Sequence, residues 1–178
     1  MAKVYGFTGL NASGKSTAAK ILAEKGYKYT SLSDVLREQA EKRGLEKSRD
    51  NLYNLGNQLR EKEGNGVLGK KAAEKILNED KSYVVDSIRN PAEVEELRKL
   101  SHFTLVAVEA KPESRFERAK KRGRNESAES VEEFLAKEKR EMSSKDSDQQ
   151  IHKCVKSADI SINNDGTIEE LREKINAL

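Results

Sequence analysis

The sequence predicts a three-layer α/β fold, in which helices flank a five-stranded parallel sheet. Two observations support this fold class. Short runs of β-branched and aromatic residues alternate with longer segments of helical periodicity, a pattern typical of βαβ units. The chain has 178 residues, which is long enough to bury one hydrophobic core and short for two. We therefore expect a single domain that spans residues 1–178.

The individual elements follow from local signals. The predicted strands are, in chain order, Lys3–Thr8, Tyr27–Ser31, Ser82–Asp86, Phe103–Glu109 and Asp159–Ile162. Four helices have recognisable starts, which are Asn90-Pro91 with Glu93, Pro112, Ser130 with Glu133, and Thr167 with Glu170. These starts combine capping residues, first-turn prolines and reciprocal acidic residues.

Two regions differ from this alternating pattern. Residues 31–79 contain no predicted strand, and Leu52, Leu55 and Leu59 recur at helical spacing, so we expect a helical insertion. Residues 123–145 begin with a polar stretch and continue into a highly charged helix, which predicts a short lid. The remaining residues, 1–30, 80–122 and 146–178, form the predicted core.

Composition argues against several classes of protein. The formal net charge is only +3 and no aromatic residues interleave the basic clusters, so nucleic acid is not an expected partner. The longest wholly apolar stretch, Leu105–Val108, is far shorter than a membrane span, and the amino terminus lacks the features of a signal peptide. We expect a cytoplasmic protein without a membrane partner, in which the single cysteine, Cys154, is a helix residue without chemistry.

A phosphate-binding motif directly follows the first predicted strand. The residues that match GxxxxGK[ST], together with the threonine that follows, are Gly9, Leu10, Asn11, Ala12, Ser13, Gly14, Lys15, Ser16 and Thr17. Glycines let backbone N–H groups converge on phosphate oxygens, and the next helix adds partial positive charge. Lys15 is predicted to reach the β- and γ-phosphates of a nucleotide, and Ser16 to ligate Mg²⁺. A chance match to a glycine-rich turn would not explain the strand and helix on either side.

Candidate residues for a second substrate lie on two other segments. Asp86 ends the third predicted strand, at the carboxyl edge where ligands of open α/β folds bind, and an acid there can hold Mg²⁺ directly or through water. Arg89 follows closely and can bind a phosphate through paired hydrogen bonds. The alternatives are a strand-terminal cap and a solvated surface arginine. In the segment 31–37, Ser33 or Asp34 can cap a helix from which Arg37 projects.

These segments resemble a known family. The phosphate loop, the SLSDVLR segment and the DSIRNP segment are similar to the phosphate loop, acceptor-helix start and DGxPR-type segment of adenylate kinase and related nucleoside monophosphate kinases. The similarity is closer to a stand-alone group of adenylate-kinase-like proteins with segments like LREKEG, RFERAKKRGR and ADxxIxNDGTxEEL. The resemblance implies a P-loop kinase fold with strand order 2-3-1-4-5, in which the helical insertion of residues 31–79 binds the acceptor. It also implies ATP and Mg²⁺ as cofactors and a (deoxy)nucleoside monophosphate as the acceptor.

The resemblance also implies roles for single residues. Arg37 and Arg89 would hold the acceptor phosphate, Asp86 would support Mg²⁺, and Arg60 is a weaker candidate for the acceptor phosphate. The sequence departs from the family pattern at two places. It has Asp-Ser-Ile-Arg in place of DGxPR, without the glycine and the proline, and Leu-Ser-Asp in place of Thr-Gly-Asp at residues 32–34. The identity of the acceptor therefore stays open.

A row of arginines precedes the predicted lid. Arg115, Arg118 and Arg122 recur at spacings of three and four, which places them on one helix face, and Arg124 lies just beyond. The face can be a solvated surface, with acidic partners nearby, or it can offset the charge of a transferring phosphoryl group. The resemblance favours Arg118 and Arg122 as catalytic residues and allows Arg118 to stack on adenine.

Two further candidates have weaker support. Arg140 lies within the predicted lid helix. The loop 163–166 either lies near adenine, as the resemblance suggests, or forms a plain turn between a strand and a helix.

The sequence leaves three functions in competition. The first is an ATP-dependent kinase acting on a nucleoside monophosphate. The second is a dephospho-CoA kinase, whose carboxyl-terminal segment is similar to residues 158–175 and which would need Asp34 as general base. The third is an ATP-dependent assembly or regulatory factor. The guanine-reading motif of GTPases and the signature motif of transporter ATPases have no counterpart here. Base preference, ribose against deoxyribose and oligomeric state are not indicated.

Overall fold

A computed structural model describes residues 2–123, 130–141 and 149–178, with the side chains of Arg49, Arg140 and Glu141 excepted. Five parallel strands form one sheet in the order β2-β3-β1-β4-β5. The strands are β1 (Val4–Thr8), β2 (Lys28–Ser31), β3 (Tyr83–Ile88), β4 (Phe103–Glu109) and β5 (Ile160–Asn163). This confirms the predicted sheet and its order.

Helices surround the sheet along the described ranges. They are α1 (Lys15–Glu24), α2 (Leu32–Lys42), α3 (Arg49–Glu63), α4 (Val67–Leu77), α5 (Pro91–Leu97), α6 (Pro112–Arg122), α7 (Val131–Glu141), α8 (Ile151–Lys156) and α9 (Ile168–Asn176). Helices α2, α3 and α4 follow one another within residues 32–77. The division of the chain into core, insertion and lid stays a prediction.

Each face of the sheet carries its own hydrophobic core. Alternate residues of a strand point to opposite faces, so on β3 the side chain of Val84 packs with α1 and α9, whereas Tyr83 and Val85 pack with α2, α4 and α5. The predicted three layers are therefore the helices of one face, the sheet and the helices of the other face. No helix in these ranges combines the length and the apolar content needed to cross a bilayer.

Most helix starts lie where the sequence predicts them. The Asn90 side chain accepts a hydrogen bond from the backbone N–H of Ala92 at 3.0 Å, and the Glu93 carboxylate accepts one from the N–H of Asn90 at 3.1 Å. The predicted cap of α2 is wrong, because Ser31, with an extended backbone, accepts from the N–H of Ser33. The helix thus begins directly after β2, before either Ser33 or Asp34 can cap it.

Cys154 lies in α8, as predicted, and is fully buried. Burial raises the pKa of its thiol to about 12. The thiol therefore stays protonated and unreactive near neutral pH.

Candidate functional site

The phosphate loop connects β1 to α1 through a tightly turned backbone. Gly9, Ala12 and Gly14 all have positive φ, at 147°, 58° and 102°. A side chain at Gly9 would collide with the carbonyl oxygen of Val108, which requires glycine there. The loop delivers the chain to the start of α1, where the unpaired backbone N–H groups of the first turn favour an anion.

The loop also contains a polar atom that suits a phosphate ligand. The Ser13 hydroxyl is buried and finds no hydrogen-bond partner within the described ranges. An unpaired buried hydroxyl is expected to destabilise a protein by about 1–3 kcal/mol, so such groups usually mark strain or a missing ligand. A phosphate oxygen would satisfy this hydroxyl, and the residues of the loop therefore fit a nucleotide phosphate.

Lys15 is buried at the start of α1, where its ammonium donates to the carbonyl oxygen of Leu10 at 3.3 Å. Burial, and next the positive charge of Arg89, lower the pKa of Lys15 to about 8. Arg122 lowers this pKa further, whereas Asp86 and Glu138 raise it. Charges from three other segments therefore act on the Lys15 ammonium.

The predicted catalytic residues Asp86, Arg89 and Arg122 thus all lie near enough for their charges to act on Lys15, although they are up to 107 residues from it in the chain (122 − 15). Parallel strands place their carboxyl ends at one edge of the sheet, which explains this convergence. Ser16 and Thr17 follow Lys15 in the first turn of α1 and are partly exposed.

Asp86 is held rigidly next to Lys15. One carboxylate oxygen accepts from the N–H of Ser87 at 2.6 Å, and the other accepts from the hydroxyl of Tyr29 at 3.0 Å. Desolvation and the Asp86 charge raise the pKa of Tyr29, so its hydroxyl remains a donor. Sequence reasoning missed Tyr29. The signal that could have found it is the parallel pairing of β2 with β3, which brings the two strand ends together.

The predicted end of β3 at Asp86 is wrong, because the strand continues to Ile88. Its register with β1 shifts between the pairs Gly6–Val85 and Thr8–Ile88, which marks a bulge at residues 86–87. Ser87 has a φ of 66°, a conformation that glycine adopts without strain. Ser87 occupies the place of the glycine in the DGxPR-type segment, and its backbone has the positive φ that favours glycine.

A cavity opens beside Asp86, between the end of β3 and the helices α2, α3 and α4. The space between the lining residues is small, about 10 Å³, which is room for about one water molecule. Leucines from the three helices form apolar walls, and the polar lining residues are Ser33, Tyr53, Arg60, Ser87, Arg89 and Gln149. Arg89 therefore borders the cavity and also acts on Lys15.

The other predicted acceptor residues have different surroundings. Arg37 donates to Asp34 at 2.6 Å, and both side chains are largely exposed on α2. Arg60 is buried and paired with Glu93, which its guanidinium contacts at 2.8 Å and 3.2 Å. The structure thus brings Ser33, Arg60 and Arg89 to one cavity, whereas Arg37 and Asp34 pair with each other on the helix surface.

The arginines of α6 separate into different roles. Arg115 is buried and pairs with Glu138 of α7 through contacts of 2.5 Å and 3.1 Å. It also donates to the carbonyl oxygen of Asn11 in the phosphate loop. Phe116 and Phe134 pack with their ring centroids 6.0 Å apart. Arg115 therefore connects α7 to the phosphate loop through hydrogen bonds, a role that helical spacing does not indicate.

Arg118 and the loop 163–166 also contact the phosphate loop. Arg118 donates to the carbonyl oxygens of Ser13 at 3.4 Å and Asn164 at 2.6 Å, and the Asn164 amide donates to Ser13 at 2.8 Å. The loop is therefore packed directly on the phosphate-binding backbone. Arg124 and the side chain of Arg140 lie outside the described residues.

Comparisons with known proteins agree with this geometry. The AAA domain family model matches residues 6–152. A UPF0200 protein from Sulfurisphaera tokodaii is 36% identical over 176 residues, covering 99% of this chain and 95% of that protein. The chain belongs to the AAA domain family and to the UPF0200 group. A UPF0200/UPF0201 protein from Archaeoglobus fulgidus is 40% identical over 178 residues, covering 97% of this chain and 54% of that protein. The UPF0200 chain thus spans about half the length of this relative.

Solved structures show the same fold. Shikimate kinase from Acinetobacter baumannii in complex with shikimate superposes with a TM-score of 0.59 at 18% identity, covering 99% of this chain and 92% of that one. The UPF0200 chain therefore has a P-loop kinase fold, which confirms the predicted fold class and the resemblance to P-loop kinases. Its intact phosphate loop indicates nucleotide binding.

Proposed function

We propose that the chain is an ATP-dependent kinase that transfers the γ-phosphoryl group to a small phosphorylated acceptor, a (deoxy)nucleoside monophosphate. The observation that carries this proposal is the position of Arg89. It borders the apolar-walled cavity and its charge also lowers the pKa of Lys15 in the phosphate loop. A donor phosphate on Lys15 and an acceptor in the cavity would therefore share one cation between them.

On the donor side, the backbone of residues 9–17 and Lys15 would bind the ATP phosphates. The polyphosphate charge would favour the protonated form of Lys15, against the burial that lowers its pKa in the free chain. Ser16 and Asp86 carry the hydroxyl and carboxylate that would hold Mg²⁺, which offsets negative charge on the phosphate oxygens. Asp86 is already oriented by Ser87 and Tyr29.

On the acceptor side, Arg89 and Arg37 would bind the acceptor phosphate, with Ser33 and Asp34 at the start of the same helix. Arg37 would exchange an exposed ion pair with Asp34, which stabilises a protein by only about 0–1 kcal/mol, for a phosphate. The leucine walls would suit the apolar faces of a nucleobase once the surrounding helices move apart to admit it. Arg118 and Arg122 would offset charge on the transferring group. The acceptor phosphate supplies an ionised oxygen, so no protein nucleophile or general base is needed.

The test is a side-by-side assay of ATP-dependent phosphorylation of AMP, CMP, UMP, GMP, their deoxy forms and dephospho-CoA. Arg89→Met should lower kcat/KM for the acceptor by about 10- to 100-fold, since a hydrogen bond to a charged group contributes about 1.5–3 kcal/mol. Arg98→Met is the matched control, because Arg98 forms an exposed pair with Asp159 at 3.0 Å. If the wild-type chain phosphorylates no nucleotide in the panel, the proposal is wrong.

The same panel addresses the two rivals. Dephospho-CoA kinase would need Asp34 as a general base, and the Arg37 pair at 2.6 Å weighs against that role. An ATP-dependent assembly factor would keep ATP-dependent partner binding after replacement of Arg37 and Arg89, whereas a kinase would lose acceptor turnover.

A further inference from the structure

Arg60 donates two hydrogen bonds to a single carboxylate oxygen of Glu93, Oε1, from Nε at 3.2 Å and from Nη2 at 2.8 Å. Both side chains are almost completely excluded from solvent, at 3% and 0% exposed. Loss of such a partner would leave a buried charge unpaired and would strongly destabilise the fold, so the two side chains are expected to stay paired.

The other oxygen of Glu93, Oε2, is aimed at the backbone that carries Arg89. It accepts from the N–H of Arg89 at 2.9 Å and from the N–H of Asn90 at 3.1 Å. The carbonyl oxygen of Arg89 accepts from the N–H of Gln150 at 2.8 Å. Glu93 therefore holds the peptide groups on both sides of Arg89, and the start of α8 also holds the second of them.

The same turn is packed against the insertion. A side chain at Gly69 of α4 would come within 2.8 Å of the Cα of Glu93, and one at Gly66 within 2.8 Å of the carbonyl oxygen of Ala92. Arg60 lies on α3, so α3 and α4 both contact the first turn of α5. The helices of the insertion thus hold the turn that carries Arg89, the residue that borders the cavity.

We propose that Arg60 and Glu93 are positioning residues for Arg89, and that Arg60 acts through Glu93 rather than as a ligand of the acceptor phosphate. This inference rests on the proposed function, since Arg89 is taken as the acceptor cation. It assigns to Arg60 a role different from the one that the family resemblance implies.

Kinetics separate the two roles of Arg60. Glu93→Gln removes the charge that holds Arg60, so a phosphate-binding Arg60 would become freer and the acceptor KM would stay constant or fall. A positioning role predicts the opposite, a rise of about tenfold or more in acceptor KM with little change in the KM for ATP. The acceptor is whichever nucleotide of the panel the wild-type chain phosphorylates. Arg60→Lys should partly rescue, and Arg60→Met should match Glu93→Gln. Arg98→Met, which removes an exposed arginine pair near the end of α5, should leave both constants unchanged.

Hydrogen exchange of the 178-residue chain tests whether Arg60 and Glu93 hold the backbone at Arg89, and it does not depend on catalysis. The amides of Arg89 and Asn90 should exchange faster in Glu93→Gln and Arg60→Met than in the wild type, relative to the amide of Val106 in the interior strand β4. If the wild-type chain phosphorylates no nucleotide of the panel, and the amides of Arg89 and Asn90 nevertheless exchange faster in the variants, the proposed function is wrong. The positioning of Arg89 by Arg60 and Glu93 is then still supported. If the exchange ratio is unchanged, or if Glu93→Gln leaves the acceptor KM unchanged, the positioning role is overturned.

Discussion

Removal of the Arg115 side chain should destabilise the chain far more than removal of an exposed arginine. Arg115 and Glu138 are 3% and 9% exposed and contact each other at 2.5 Å and 3.1 Å. Arg115→Met leaves the Glu138 carboxylate buried without its partner, which costs about 3–5 kcal/mol. At about 2–4 °C per kcal/mol for a chain of this size, the midpoint of thermal unfolding should fall by about 6–20 °C.

The control is Arg172→Met. Arg172 pairs with Glu24 at the same distance, 2.5 Å, but the two side chains are 47% and 58% exposed. An exposed pair contributes little to stability, so the midpoint should fall by no more than about 4 °C. The double variant Arg115→Met/Glu138→Leu should recover part of the loss, because it leaves no unpaired charge. Equal shifts for Arg115→Met and Arg172→Met, measured by differential scanning calorimetry, would refute this reasoning.

Two further predictions concern the donor side. The pKa of Lys15 is lowered from 10.5 to about 8, so between these pH values the unfolded chain binds more protons than the folded one, and this group's contribution to stability should rise with pH. The free energy of unfolding in urea, measured from pH 7 to 10.5, should rise with pH in the wild type relative to Lys15→Met. Parallel plots of this free energy against pH for the two proteins would contradict the prediction. Tyr29→Phe removes one of the hydrogen bonds that orient Asp86, so half-maximal ATP turnover should need more Mg²⁺. Tyr27→Phe is its control, since Tyr27 packs against Tyr5 beside the hydrophobic core of α1 and α9, and an equal Mg²⁺ requirement in both variants would contradict the role of Tyr29.

The elements of the fold were predictable because their signals are local. Alternating and helical periodicity identified all five strands of the described sheet, and Asn90, Pro112 and Thr167 marked helix starts that the structure contains. The strand order came from the family resemblance. The end of β3 was not predictable, because the bulge at Ser87 depends on pairing with β1, and no short-range pattern encodes that register.

The candidate site was predictable only in its donor half. The phosphate loop is contiguous, so its chemistry is visible in nine residues, whereas the partners of each arginine come from distant segments. Glu93 is 33 residues from Arg60, and Glu138 is 23 residues from Arg115. Helical spacing placed Arg115 on one face with Arg118 and Arg122, but it could not show that a buried carboxylate takes up the charge of Arg115.

These buried pairs explain how so many cations can surround one phosphate site before a nucleotide binds. Burial, and next the charges of Arg89 and Arg122, already lower the pKa of Lys15. Because Glu93 and Glu138 take up the charges of Arg60 and Arg115, two further arginines can anchor the acceptor and donor sides without adding to that effect. Substitution of either acid with glutamine should therefore destabilise the fold. In Glu138→Gln the pKa of Lys15 should also fall further, because Glu138 raises it. Direct titration of the Lys15 ammonium by NMR would measure this, and an unchanged pKa in Glu138→Gln would show that Glu138 does not contribute to the balance of charge at the phosphate loop.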